Sequence, residues 1–184
     1  MNGKIRAAMA FLAMLVLFCA AVAVGAWRGF SGDREQVAQA LSSFSSVLRS
    51  RVEMGHNLLV VALRHLSGED PLVKAVQADL AELSGNSPLL QKAKVNDRFA
   101  LDAAALLEAL EKDASLLADA RDLGYVTGLL PRGLEQSAKW ADAGQYNKAA
   151  QEFNRRLTGQ LNGRLAMLLG VREAELFDAG GDRI

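Results

Sequence analysis

Two histidines, His56 and His65, and a scatter of serines are the residues of this chain whose chemistry needs testing first. Glu53-x-x-His56 has the spacing with which helical bundles hold a pair of metal ions, two such pairs being joined by a Glu from each of two other helices. A second pair cannot be built, because His65 has Ala62 three residues before it where a Glu would be needed. The separation of His65 from His56 also places them on opposite faces of a helix. His56 therefore reads as a surface or interface histidine. No serine stands in a strand-turn-helix G-x-S-x-G setting, so a Ser-His-Asp triad has no support, and no glycine-rich loop is shaped for phosphate. Arg49/Arg51 and Arg155-Arg156 are short basic pairs among acids, which suits solvated faces better than lipid headgroups. Ser42, Ser43, Ser45 and Ser46 read as a solvated or helix-facing surface. These patterns assign no catalytic, cofactor-binding or metal residue, and the chain is expected not to be an enzyme.

The elements that would position these residues begin with an apolar run, Ala7 to Trp27, which carries no charge. As a helix it measures about 30 Å, the thickness of a bilayer's hydrocarbon core. Its competing reading is a cleaved signal peptide, with Lys4 and Arg6 as the basic region and Ala21-Val22-Ala23 or Val24-Gly25-Ala26 as the cleavage site. The run exceeds the usual signal-peptide core of about 7–15 residues, so an uncleaved anchor is expected. Cys19, the single cysteine, follows Phe18 where lipidation would call for a small residue, and it reads as a small hydrophobe within the span. Lys4 and Arg6 before the span set the lean toward a cytoplasmic N-terminus and an extracytoplasmic main domain. They are also the only basic residues before Trp27, out of 21, while all 21 acidic residues follow it. A slightly acidic main domain offers no electrostatic footprint for nucleic acid, which is not expected as a partner.

After a joint at 28–32, apolar or small residues recur at Val37, Leu41, Phe44, Leu48, Val52, Gly55, Leu59, Ala62 and Leu66, one stripe along a helix from Asp33 to Leu66. Asp70-Pro71 predicts the start of a second helix, with Leu72, Val76, Leu80 and Leu83 inward. Ser84 to Pro88 breaks or bends it, and 89–95 reads as a loop or short turn. Asn96 or Asp97 is expected to cap a third helix whose face is Phe99, Ala103, Leu106, Leu110, Ala114 and Leu117. Gly124 to Gly133 reads as a connection, and Leu134 to Gln160 as a last long helix with a bend or a close helix contact at Gly144. Leu161 to Phe177 is apolar and folds back, leaving a frayed end. The fold class expected is all-α: a transmembrane helix followed by an elongated up-and-down four-helix bundle, with a coiled-coil oligomer as the rival. The divisions are 1–6 basic N-terminus, 7–27 anchor, 28–32 joint, 33–178 bundle and 179–184 tail.

Arg51-x-Glu53-Met54-x-x-Asn57-Leu58-Leu59 on the first helix and Tyr146-Asn147-x-x-Ala150-x-x-Phe153-Asn154 near the end form two motifs. Together with the anchor and Leu168-Leu169-Gly170 with Phe177, they resemble the LemA family of bacterial membrane-anchored helical proteins. His56 stands where that family usually has proline, and 85–133 aligns with no family motif. The resemblance implies an elongated four-helix bundle on one membrane helix and supplies no catalytic residues. Arg51, Glu53, Asn57, Leu58, Tyr146, Asn147, Phe153 and Asn154 are then structural or interaction residues. On their chemistry, Asn57 and Asn147 should hydrogen-bond between helices or to nearby backbone, and Tyr146 and Phe153 should share a face packed on the first helix.

The function expected is a single-pass membrane-anchored helical-bundle protein of the bacterial envelope, a scaffold or protein-interaction module. The membrane is the cytoplasmic (inner) one. Lipid contacts residues 7–27, a protein partner meets the bundle, a homo-oligomer is compatible, and no cofactor is called for. The alternative is an extracytoplasmic ligand-sensing helical bundle.

Overall fold

The computed structural model describes residues 3–140 and 143–178, without the side chains of 3–5 and 140. Every regular element among them is helical: α1 (Gly3–His65), α2 (Pro71–Ser84), α3 (Leu89–Glu111), α4 (Ala114–Leu117), α5 (Ala120–Gly124), a π-helical turn (Tyr125–Leu129), α6 (Leu130–Trp140), α7 (Gly144–Gly159) and α8 (Leu161–Leu168). The fold is all-α. The tail from 179, and residues 141–142 of the expected last helix, lie outside the described residues.

Helix α1 is longer than its periodic stripe predicted, because the expected joint at 28–32 is helical. Gly29 and Gly32 cost about 1 kcal/mol each relative to alanine, and the burial of Phe30 beside them offsets this. Most of the stripe is as expected: Val37, Phe44, Leu48, Val52, Leu59 and Ala62 are buried, while Leu41 and Leu66 are half-buried and Leu66 lies just past the helix. The apolar window near the N-terminus has a mean hydropathy of 2.7 and is 0% buried inside the protein.

The chain forms two compact units. The first comprises the segment up to Gln39 with Lys148–Ala174, and the second Ala40–Asn147 with the segment from Glu175. In the first, Phe30 of α1 meets Phe153 of α7 edge-on at 6.3 Å, and Arg156 pairs with Asp33 at 3.0 Å. Helix α8 presses so closely on the end of α7 that the Leu157 backbone fills the place of a Cβ at Gly163. It stops at Gly170, whose φ of +93° is a left-handed turn natural to glycine, with Val171 N–H donating to Ala166 O at 3.0 Å.

In the second unit, Asp70 caps α2 by accepting from Leu72 N–H at 2.8 Å, with Pro71 opening the helix as expected. Val73, Val76, Leu80 and Leu83 face α3, whose Phe99, Ala103, Leu106 and Leu110 are buried. Leu80 and Phe99 also reach α1 at Gly55, where any Cβ would lie 2.8 Å from Phe99 Cζ. Helix α3 begins at Leu89, with Pro88 at its cap, and not at Asn96 or Asp97. The cap comes from far along the chain: Glu175 Oε2 accepts from Leu89 N–H at 3.1 Å. The same helix ends at Glu111, short of Ala114 and Leu117, because Asp113 accepts from Ser115 and Leu116 N–H and starts α4. Residues 124–133, expected as a connection, are helical too. Gly124 and Gly128 have negative φ there, and Pro131, lacking an N–H and crowding the preceding turn, accounts for the wide π turn just before it. The predicted last helix is two, α6 and α7, with Gly144 opening the second.

Candidate functional site

Arg51 is 2% exposed, which corrects its reading as a solvated charge. Two elements, α3 and α6, hold its guanidinium. Nε donates to Asn96 Oδ1 of α3, Nη1 donates to Leu134 O of α6 at 3.3 Å and reaches Ser137 Oγ at 3.5 Å, and the group lies 5.0 Å over the Phe99 ring. Ser137 Oγ donates to Leu134 O at 2.9 Å, so that carbonyl accepts twice. Among the described residues no carboxylate lies within ion-pair distance of Arg51. Burial therefore pushes its pKa down, with the charge of Asp97 opposing. Asn96, expected as a helix cap, is spent on this cation instead. Beside it opens a cavity of about 230 Å³ lined by Arg51, Phe99, Ala103, Leu107, Pro131 and Leu134.

The rest of the first motif divides between core and surface. Leu58 is wholly buried, whereas Glu53 and Asn57 are exposed. Asn57 makes none of the interhelical hydrogen bonds expected of it among the described residues, and it lines a shallow cavity of about 190 Å³ with Arg64, Asp122 and Tyr125. The ring of His56 turns to its own helix, Nδ1 lying 2.9 Å from Val52 O.

The second motif is used on the chain itself. In the second unit Asn147 Nδ2 donates to Phe177 O at 2.8 Å and its Oδ1 accepts from Phe177 N–H at 2.9 Å. Tyr146 donates its hydroxyl to Glu175 O and stacks on Phe44 at 6.0 Å, while Phe177 meets Phe44 edge-on at 4.7 Å. Burial, with the charge of Glu175, pushes the Tyr146 phenol up. In the first unit Asn154 repeats the device on Ala174, donating at 2.9 Å and accepting at 2.8 Å. An amide satisfies both the N–H and the C=O of one residue outside the helices, as a neighbouring strand would. Phe153 packs on Phe30.

One cluster was invisible in the sequence. His65 Nε2 lies 3.1 Å from Asp122 Oδ2 and its Nδ1 2.9 Å from Ser115 Oγ, while Arg64 binds both Asp122 oxygens at 2.9 and 3.0 Å. Ser, His and Asp in a row suggest nucleophile activation, but the Ser115 hydroxyl donates to Asp113 at 2.6 Å. Its proton is directed away from the imidazole, the reverse of what a base-activated serine needs. His65, Asp119 and Asp122 could also bring one ligand atom each within 4.8 Å of one another. Asp122 already serves Arg64 and His65, and Asp119 Oδ1 caps α5 through Arg121 and Asp122 N–H. Arg64 first, with His65, holds the Asp122 carboxyl below the usual range against desolvation. The cluster clasps the end of α1 to α5.

Compared with family models, with curated proteins and with solved structures, the chain matches none. Its geometry offers a buried cation beside a small apolar cavity, amides that hold the chain's own backbone, and an apolar stretch of α1 that is 0% buried among the described residues.

Proposed function

We propose that this chain is a single-pass membrane-anchored helical-bundle protein of the bacterial envelope, similar to the LemA family, which acts as a scaffold or protein-interaction module and not as a catalyst. The observation that carries the reading is the apolar window of α1, of mean hydropathy 2.7 and 0% buried, in the same helix whose later residues Leu58 and Ala62 are wholly buried. Water would solvate that window at a cost of roughly 25 cal/mol per Å² of apolar surface, and lipid removes the cost. Residues 7–27 then lie in the inner membrane, and residues 33–178 form a four-helix bundle on the extracytoplasmic side. The motif residues support a non-catalytic role. Tyr146, Asn147 and Asn154 are committed to the chain's own backbone, and Leu58 and Phe153 to packing.

The test is affinity purification of the detergent-solubilised chain with and without residues 1–27. Recovery of the same partner protein by both forms places recognition in the bundle. Partners recovered only with the anchor, or turnover of a substrate by the purified chain, would reject the interaction reading.

A further inference from the structure

The buried cation of Arg51 is not explained by a structural role alone. A guanidinium offers five N–H groups, and here Nε and Nη1 meet protein acceptors while Nη2 meets none among the described residues. Asp79 Oδ2 is the one fully occluded side-chain polar atom there that lacks a partner, so Nη2 keeps an accessible face. Arg51 lines an apolar cavity of about 230 Å³. Exposed Ala100 and Ala104 mark its mouth. The carboxylate on its wall, Glu135, is held by Lys139 at 2.8 Å and so does not serve Arg51. A cavity of about 150 Å³ suffices for benzene, and a buried unpaired cation is costly until an anion meets it.

We propose that this cavity binds a small apolar monocarboxylate, its carboxylate on Arg51 Nη2 and its hydrocarbon part against Phe99, Leu107 and Leu134. The N–H groups of Nη2 can give a carboxylate charge-assisted hydrogen bonds, and the alanines of α3 leave room for a ring or a short branched chain. This goes beyond the interaction role, and either can hold without the other. Selectivity rests on charge: a neutral molecule of the same shape fills the space but leaves the cation unmet.

The experiment is calorimetric titration of the full chain in nanodiscs with benzoate and with benzamide, accompanied by melting curves. Benzoate should raise the melting temperature and bind about tenfold more tightly than benzamide, or better, as befits hydrogen bonds to a charged group. Ala104→Leu fills the cavity from its exposed wall and leaves Asn96, Leu134 and Ser137 on Arg51. It should melt like the wild type without ligand and lose the benzoate response. Equal affinity for the two compounds, undiminished binding by Ala104→Leu, or no response to millimolar benzoate, hexanoate or isovalerate would overturn the proposal.

Discussion

A single amide can replace a strand. Asn147 satisfies both backbone groups of Phe177, and removing it by Asn147→Ala leaves a donor and an acceptor half-buried and unpaired. The expected loss is about 1–3 kcal/mol, read as a lower urea midpoint with an unchanged slope. The clasp at Asp122 makes a different prediction. Its carboxyl is held below the ordinary value of 3.8, chiefly by Arg64, so its stabilisation is complete above that value and is lost as pH falls through the lower folded one. Urea midpoints followed from neutral to strongly acidic pH should fall in the wild type, and Asp122→Asn should be weaker at neutral pH with a smaller acid loss. A variant as stable as the wild type at neutral pH would show the clasp to be idle. These contacts were legible to unequal degrees. Asn147 was expected to hydrogen-bond between helices or to nearby backbone, but its target lies 30 residues on, and that of Asn154, for which no such bond was expected, 20 residues on. Nothing local to His65 announces Ser115 or Asp122, which arrive only when α4 and α5 fold back. Arg51 was misread for the same reason: the atoms that let it be buried belong to α3 and α6.

At the scale of elements, local signals were reliable where the stabilising group is local. Asp70-Pro71 marks α2 because cap and first turn are adjacent in sequence. The start of α3 was hidden because Glu175 supplies its acceptor, and α5 to α6 was hidden because its glycines suggest turns. Helical glycines separate by their surroundings. A Cβ at Gly124 meets nothing within 4 Å, so Gly124→Ala should stabilise by up to about 1 kcal/mol through helix propensity. At Gly163 the Leu157 backbone occupies the position, and backbone cannot turn aside as a side chain can. Gly163→Ala should destabilise toward the upper end of about 1–3 kcal/mol despite its propensity gain. Thermal melts of the two variants should move in opposite directions, and movement in the same direction would contradict this close approach of α8 to α7.

For the whole molecule, the all-α class followed from periodicity, since the steps of three and four along α1 coincide with its buried residues. The proposed membrane placement depends on apolar side chains that the described residues leave open: Phe11, Leu12, Val16, Leu17 and Phe18 are 60–69% exposed. The most direct test is carbonate extraction of membranes carrying the full chain, beside the double variant Leu12→Arg/Val16→Arg. Each arginine near the centre of a span costs about 3 kcal/mol on insertion scales. The wild type should remain in the membrane pellet and the variant should move to the supernatant. A wild type released by carbonate, or a variant retained as firmly as the wild type, would contradict the account.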